Sequence, residues 1–141
     1  IDQETGMVKI VNYVAVDDVG TVVNQLTLEG QIHGGIAQGA GQALMENINY
    51  DLENGQLLSG SFLDYPMPRA DDFCSFEIAT NPVPSKTNPL GIKGAGEAGT
   101  SAALPAVMNA VNHAMAPLGV GHLEMPLSSE KIWRSILASE Q

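Results

Sequence analysis

The feature that most constrains this chain is the segment Leu28–Ile48, LEGQIHGGIAQGAGQALMENI, which is helix-periodic and glycine-rich at once. Leu28, Ile32, Ile36, Ala40, Ala43 and Leu44 recur at spacings near 3.6, the repeat of one buried helix face. The same stretch holds Gly30, Gly34, Gly35, Gly39 and Gly41. Each glycine costs a helix roughly 0.5–1 kcal/mol relative to alanine. Such a helix needs compensation, and the simplest source is a partner packed close against its backbone.

The flanking segments predict the rest of the architecture. Val8–Val16 (VKIVNYVAV) is rich in β-branched residues and reads as a strand, ended by Asp17-Asp18-Val19-Gly20. Asn54-Gly55 is a turn signal leading to a strand at Gln56–Asp64, and Phe73–Thr80 reads as the next strand. Asn81–Pro89 carries Pro82, Pro84 and Pro89 and reads as extended loop. After the glycine-rich loop Gly91–Gly99 a helix is predicted from Ser101 to Pro117. Its apolar stripe is Leu104, Val107, Met108, Val111, Met115 and Leu118, with Thr100 or Ser101 as cap and Pro105 in the first turn. A short strand at His122–Met125 and a last helix at Ser128–Ala138 follow, the latter with Ile132, Trp133, Ile136 and Leu137 inward. The order β-α-β-β-α-(β)-α predicts an α+β fold, a short antiparallel sheet layered against helices.

Composition narrows the function classes. The 141 residues make one domain with a formal charge of −10 and only six Lys and Arg, a surface that repels phosphate backbones, so nucleic acid is not an expected partner. No apolar run approaches the roughly 20 residues of a membrane span. Ile1 opens the chain and no leader pattern follows it, so the expectation is a piece of a longer protein. Cys74 is the sole cysteine; it excludes an internal disulfide and a complete iron–sulfur site built from this chain alone. The acidic residues are scattered, and His33, His113 and His122 have no evident ligand partners, so no metal site built from side chains is expected.

Three features can carry chemistry. Gly94–Gly99, GAGEAG, fits G-x-G-x-x-G ahead of a helix, where glycines let the backbone approach an anion. A nicotinamide dinucleotide module is one reading, but the residues before the loop are proline-rich where that fold needs a buried strand. Glu97 sits inside the loop; a helix N-terminus favours its charge and burial opposes it, a balance suited to a general base. The plainer reading is a solvated loop glutamate. Gly30-Gln31-Ile32-His33-Gly34-Gly35 offers a glutamine able to read the amide-like edges of a heterocycle, or simply a tight packing face.

Taken together, Asp17-Asp18-Val19-Gly20 with Asn24, Gly30–Leu44 (GQIHGGIAQGAGQAL), Tyr65-Pro66-Met67-Pro68 and Gly91–Gly99 (GIKGAGEAG) resemble the xanthine dehydrogenase / aldehyde oxidase / aerobic carbon monoxide dehydrogenase family. The resemblance is to the C-terminal region of the large, molybdenum-binding subunit and covers nearly the whole chain. It implies oxidative hydroxylation of an aldehyde, an N-heterocycle or a CO-type carbon with water-derived oxygen. The implied cofactor is molybdenum–molybdopterin, in the cytosine dinucleotide form. Electrons would pass to Fe-S and FAD on partner subunits or domains. By motif, Glu97 would be the catalytic base. Gln31 and Gly30 would reach the cofactor, and Lys93, Gly94, Ala95 and Gly96 would shape its site. The implied partners are the remainder of the large subunit, the Fe-S and FAD subunits and a small-molecule substrate, in an oligomer placed in the cytoplasm. The chain alone is expected to be inactive. The rival from another class is a non-catalytic interface domain, in which the glycine-rich helix only packs and Glu97 is a loop residue.

Overall fold

The computed structural model describes residues 1–139. Strand β1 spans Tyr13–Asp17, helix α1 Gln25–Leu44, strand β2 Phe76–Thr80, helix α2 Ala98–Met115 and helix α3 Ser129–Ser139. The fold is α+β, as the pattern predicts, but the two strands run parallel, with Tyr13 opposite Phe76 and Asp17 opposite Thr80. The antiparallel expectation fails for a definite reason. The pattern predicts a strand at Gln56–Asp64, and that segment is no strand; only one bridge there, Tyr50 to Leu57, closes around Gly55. Phe62 and Leu63 there are 87% and 93% exposed, so the segment has no apolar surface to lie against. Without it, β2 pairs with β1 after a long crossover through α1, which returns the chain in the same direction.

The predicted helix at 28–48 forms three residues earlier, because Asn24 caps it: its Oδ1 accepts the Thr27 N–H at 3.1 Å. Its buried face is Leu28, Ile32, Gly35, Ile36, Gly39, Ala40 and Ala43. For Gly35 and Gly39 the close partner is α2, while Gly41 lies against Pro68 and Gly30 and Gly34 face open space. A Cβ on Gly35 would stand 2.8 Å from the Thr100 nitrogen, and one on Gly39 2.8 Å from the Ala103 Cβ. A Cβ on Gly99 of α2 would meet the Ile32 carbonyl oxygen at 2.4 Å. The two helices therefore cross backbone to backbone, and close dispersion contact offsets the glycine penalty.

Helix α2 also begins earlier than predicted. Its N-cap is Glu97, neither Thr100 nor Ser101, and Pro105 lies inside the helix, not in its first turn. Val107, Val111 and Met115 meet Ala40 and Ala43 of α1 and Ile132 and Ile136 of α3 in one core cluster. A second cluster, Val19, Leu28, Ile32, Ile36 and Ala103, sits under the sheet. The inner stripe of α3 is narrower than predicted: Trp133 and Leu137 are at least a third exposed. Residues 122–125 form no strand. Asn112 takes the place of a strand partner, accepting the Leu123 N–H at 2.7 Å and donating to its carbonyl at 3.2 Å. Among the described residues no helix is long and apolar enough to cross a membrane.

Candidate functional site

The segment 91–97 is held by a hub, Asp18, that the sequence marks only as part of a turn and of a family-like stretch, with no role of its own. Asp18, just past β1, accepts the Gly20 N–H at 3.0 Å and the Val83 N–H at 2.9 Å through Oδ1. Its Oδ2 takes the Lys93 ammonium. One carboxylate thus ties the end of β1, the proline-rich loop and the base of the glycine-rich loop. These donors, the Lys93 ammonium foremost and then the Val83 and Gly20 N–H groups, hold the Asp18 pKa down at about 2. The Lys93 N–H bonds Val19 O at 3.0 Å, and Gly91 O accepts from both Thr21 and Ser85 at 3.0 Å. Asn88 closes the same turn, receiving the Ile92 N–H at 3.1 Å and donating to the Ile92 carbonyl at 3.0 Å. Gly20 and Gly91 both have positive φ, and a Cβ on Gly20 would strike Gly91 O at 2.3 Å. Only glycine fits that crossing.

Past this anchor the loop changes character. The N–H groups of Gly94, Ala95, Gly96 and Glu97 donate to no acceptor among the described residues. Gly94 and Gly96 have ordinary φ, and a Cβ at either would meet nothing within 4 Å. Neither the backbone nor this chain's packing requires glycine there. Gln31, on the exposed side of α1, donates from Nε2 to Gly96 O at 2.7 Å and braces the loop. Gly30 beside it also faces open space. Ala95 is half-buried against the second core cluster.

Glu97 is exposed and stands at the start of α2, yet its side chain makes no capping bond. Its carbonyl accepts the Ser101 N–H at 3.0 Å. Among the described residues its carboxylate has no salt-bridge partner. A groove of about 440 Å³ adjoins the loop, lined by Val19, Val22, Gln31, Lys93, Ala95 and Gly96 among others. Gln31, Lys93, Ala95 and Gly96 are therefore brought together, with Glu97 next in the chain and Gly30 next to Gln31. The Lys93 ammonium is already engaged by Asp18, so it fastens the loop and does not offer a free charge.

The remaining candidates are structural. The His33 ring lies 5.6 Å from that of Phe76, and Cys74 is half-buried. The dinucleotide reading fails on topology. Such a turn runs directly from strand to helix, whereas β2 ends at Thr80 and an irregular stretch separates it from α2 at Ala98. The third glycine of the pattern, Gly99, serves the helix crossing. Among the described residues no three His, Cys, Asp or Glu gather as a metal cage. The donor set suits a different ligand class: open N–H groups at a helix N-terminus and a glutamine amide favour an oxygen-rich, anionic group.

Residues 1–74 match the molybdopterin cofactor-binding domain. The chain is 42% identical over 135 residues to the nicotine 6-hydroxylase large subunit of Paenarthrobacter nicotinovorans, covering 96% of this chain and 16% of that protein. It is 38% identical over 134 residues to the carbon monoxide dehydrogenase large chain of Afipia carboxidovorans, covering 95% and 16%. The crystal structure of a Cu,Mo-CO dehydrogenase in its carbon monoxide reduced state superposes with a TM-score of 0.93 at 36% identity, over 99% of this chain and 18% of that one. The chain thus spans about a sixth of the length of the curated relatives it matches. On sequence and fold together, it belongs to the molybdopterin cofactor-binding family that includes xanthine dehydrogenase, aldehyde oxidoreductase and carbon monoxide dehydrogenase.

Proposed function

We propose that this chain is the C-terminal part of a molybdenum hydroxylase large subunit and forms one wall of its cofactor site, with Glu97 as the base. The observation that carries the reading is the run Gly94–Glu97. Four consecutive N–H groups and a carboxylate stand without partners, on a loop that is itself firmly anchored. An isolated domain gains nothing from glycines that no neighbour and no φ demands; a large cofactor seated against Gly94 and Gly96 gives them a purpose. When bound, the molybdenum–pterin group supplies two-electron redox chemistry.

The chain's own residues then have separate tasks. The N–H groups of Gly94, Ala95 and Gly96 would hold the cofactor, helped by the positive end of α2. Gln31 braces the loop through Gly96 O, and its amide oxygen would remain to accept from the cofactor. Lys93, locked on Asp18, keeps the loop from swinging. Glu97 would be the base, holding at its carboxylate a proton given up in the reaction. Its freedom from a capping bond leaves both carboxylate oxygens available for that step.

The whole protein's setting follows the relatives. We propose hydroxylation of an aldehyde, an N-heterocycle or a CO-type carbon, the cytosine dinucleotide form of the pterin, and electron transfer to Fe-S and FAD partner subunits in the cytoplasm. In the complete subunit, Glu97→Gln should lower kcat by roughly 10²–10⁴-fold, the usual share of a general base, while molybdenum content stays near the unaltered level. Turnover within a few-fold of the unaltered enzyme, at equal molybdenum content, would remove Glu97 from the role of base.

A further inference from the structure

The run Val8–Val16 has strand character over nine residues, yet only Tyr13–Asp17 is paired. The pairing uses one side of β1. Asp17 O accepts the Asn81 N–H at 3.0 Å, which turns the main chain of Tyr13, Ala15 and Asp17 towards β2. Alternation then turns the N–H and C=O groups of Val14 and Val16 to the opposite, open edge. Val11, Val14 and Val16 are 79%, 56% and 62% exposed. An unprotected β-branched edge on a two-stranded parallel sheet is unfavourable, since such sheets are normally wider and covered.

Along this edge runs a groove of about 520 Å³. One wall is the continuous stretch Val8–Asp17, so the groove follows the strand for its full predicted length. The other wall is α2, which contributes Ala98, Ala102, Ala106, Ala110 and Ala114, one small residue every fourth position. Ala102, Ala106, Ala110 and Ala114 are exposed. A helix side lined with methyl groups leaves room for bulky apolar side chains from an opposing extended segment. Lys9 and Asp17 are the only charged residues in the lining.

We infer that the open edge of Val8–Val16 receives a third strand, supplied by the part of the large subunit outside this chain and seated against the alanine side of α2. The inference rests on the reading that the chain belongs to a longer subunit; the matched relatives carry about five-sixths of their length beyond the match, ample to provide one extended segment. The incoming strand bonds to Val14 and Val16 through its main chain and alternates large apolar side chains towards α2, a β-augmentation within one polypeptide.

Hydrogen exchange of the complete subunit, read at single amides, tests this. The amides of Val14 and Val16 should exchange roughly 100-fold or more slowly than unstructured amides, like that of Ala15. Ala106→Arg should restore fast exchange at Val14 and Val16 while Ile32 and Ile36 stay protected. Fast exchange at Val14 and Val16 in the unaltered subunit overturns the inference, whatever the variant does. Protection that appears only as the concentration of this 141-residue chain is raised would make the occupant a second copy and also overturn it. A native polypeptide no longer than this chain, by mass, ends the large-subunit reading instead; free edge amides in a longer polypeptide end only the strand inference.

Discussion

The α1–α2 crossing makes a prediction whose sign is decided by two opposing terms. Gly99→Ala places a methyl 2.4 Å from the Ile32 carbonyl oxygen and 3.1 Å from the Ile32 Cα and carbonyl carbon. All three belong to the rigid backbone of α1, so no side chain can swing away. The helices must part, and overpacking of this kind costs about 1–3 kcal/mol. Alanine returns about 0.5–1 kcal/mol of helix propensity, and less near a helix start. The net expectation is a loss of about 1–2 kcal/mol. Gly34→Ala is the control, because a Cβ there meets nothing within 4 Å; it should gain about 0.5–1 kcal/mol. With a urea slope of about 1–3 kcal/mol per molar, the Gly99→Ala midpoint should fall by about 0.5–1 M and the Gly34→Ala midpoint should rise. Midpoints that move in the same direction would show that backbone proximity does not govern these glycines.

Other perturbations probe the clamp and the loop. Asp18 has a pKa lowered to about 2 from an ordinary 3.8, so its contribution to holding the loop is complete above about pH 4 and lost as pH falls through about 2. Carbon-13 titration of its carboxyl should give a midpoint well below 3; a midpoint near 3.8 would mean that the Lys93 and Val83 contacts do not persist in solution. Asn112→Ala removes the bonds to Leu123 and Met108 from a partly buried amide. It should cost about 1–3 kcal/mol in thermal or urea unfolding, and a neutral result would refute its role as a substitute strand partner. Gln31→Leu deletes the brace on Gly96 O. The cost in stability should stay below about 1 kcal/mol because the bond is exposed, but backbone order parameters at residues 94–97 should fall below those of α1, and unchanged values would count against the brace.

Local pattern made the helices legible, and long-range pairing is what it missed. Leu28, Ile32 and Ile36 announce α1 by spacing alone, and the glycines between them announce a close neighbour without naming it. Identifying that neighbour as α2 needs Gly99 and Ala103, which are distant in sequence. Strand direction was illegible for the same reason: Gln56–Asp64 has a turn before it and apolar residues within it, yet nothing in the fold covers Phe62 or Leu63. At the candidate site, Glu97 and Gln31 stand out by motif, whereas Asp18 reads as half of an acidic turn. Its signal was available in principle, since a carboxylate two residues before a glycine often receives that glycine's N–H. Its bonds to Val83 and Lys93 span 65 and 75 positions and leave no local trace.

The glycines themselves separate what this chain needs in order to fold from what it offers to something else. Gly20 and Gly91 are required by positive φ and by crossing backbones; Gly35, Gly39 and Gly99 are required by the helix contact. Replacing any of these should damage the fold and carries no information about function. Gly30, Gly34, Gly94, Gly96 and Gly121 satisfy neither demand, since each has ordinary φ and empty space where its Cβ would lie. A glycine in that position weakens the local backbone for no internal return. Gly30, Gly94 and Gly96 lie on or beside the two segments joined by the Gln31–Gly96 bond, and Gly96 immediately precedes Glu97. Three of these five glycines thus fall among the same few residues as the unpaired N–H groups and the uncapped carboxylate. That overlap is a physical ground, separate from any relative, for the proposal that the ligand-facing surface lies at the start of α2.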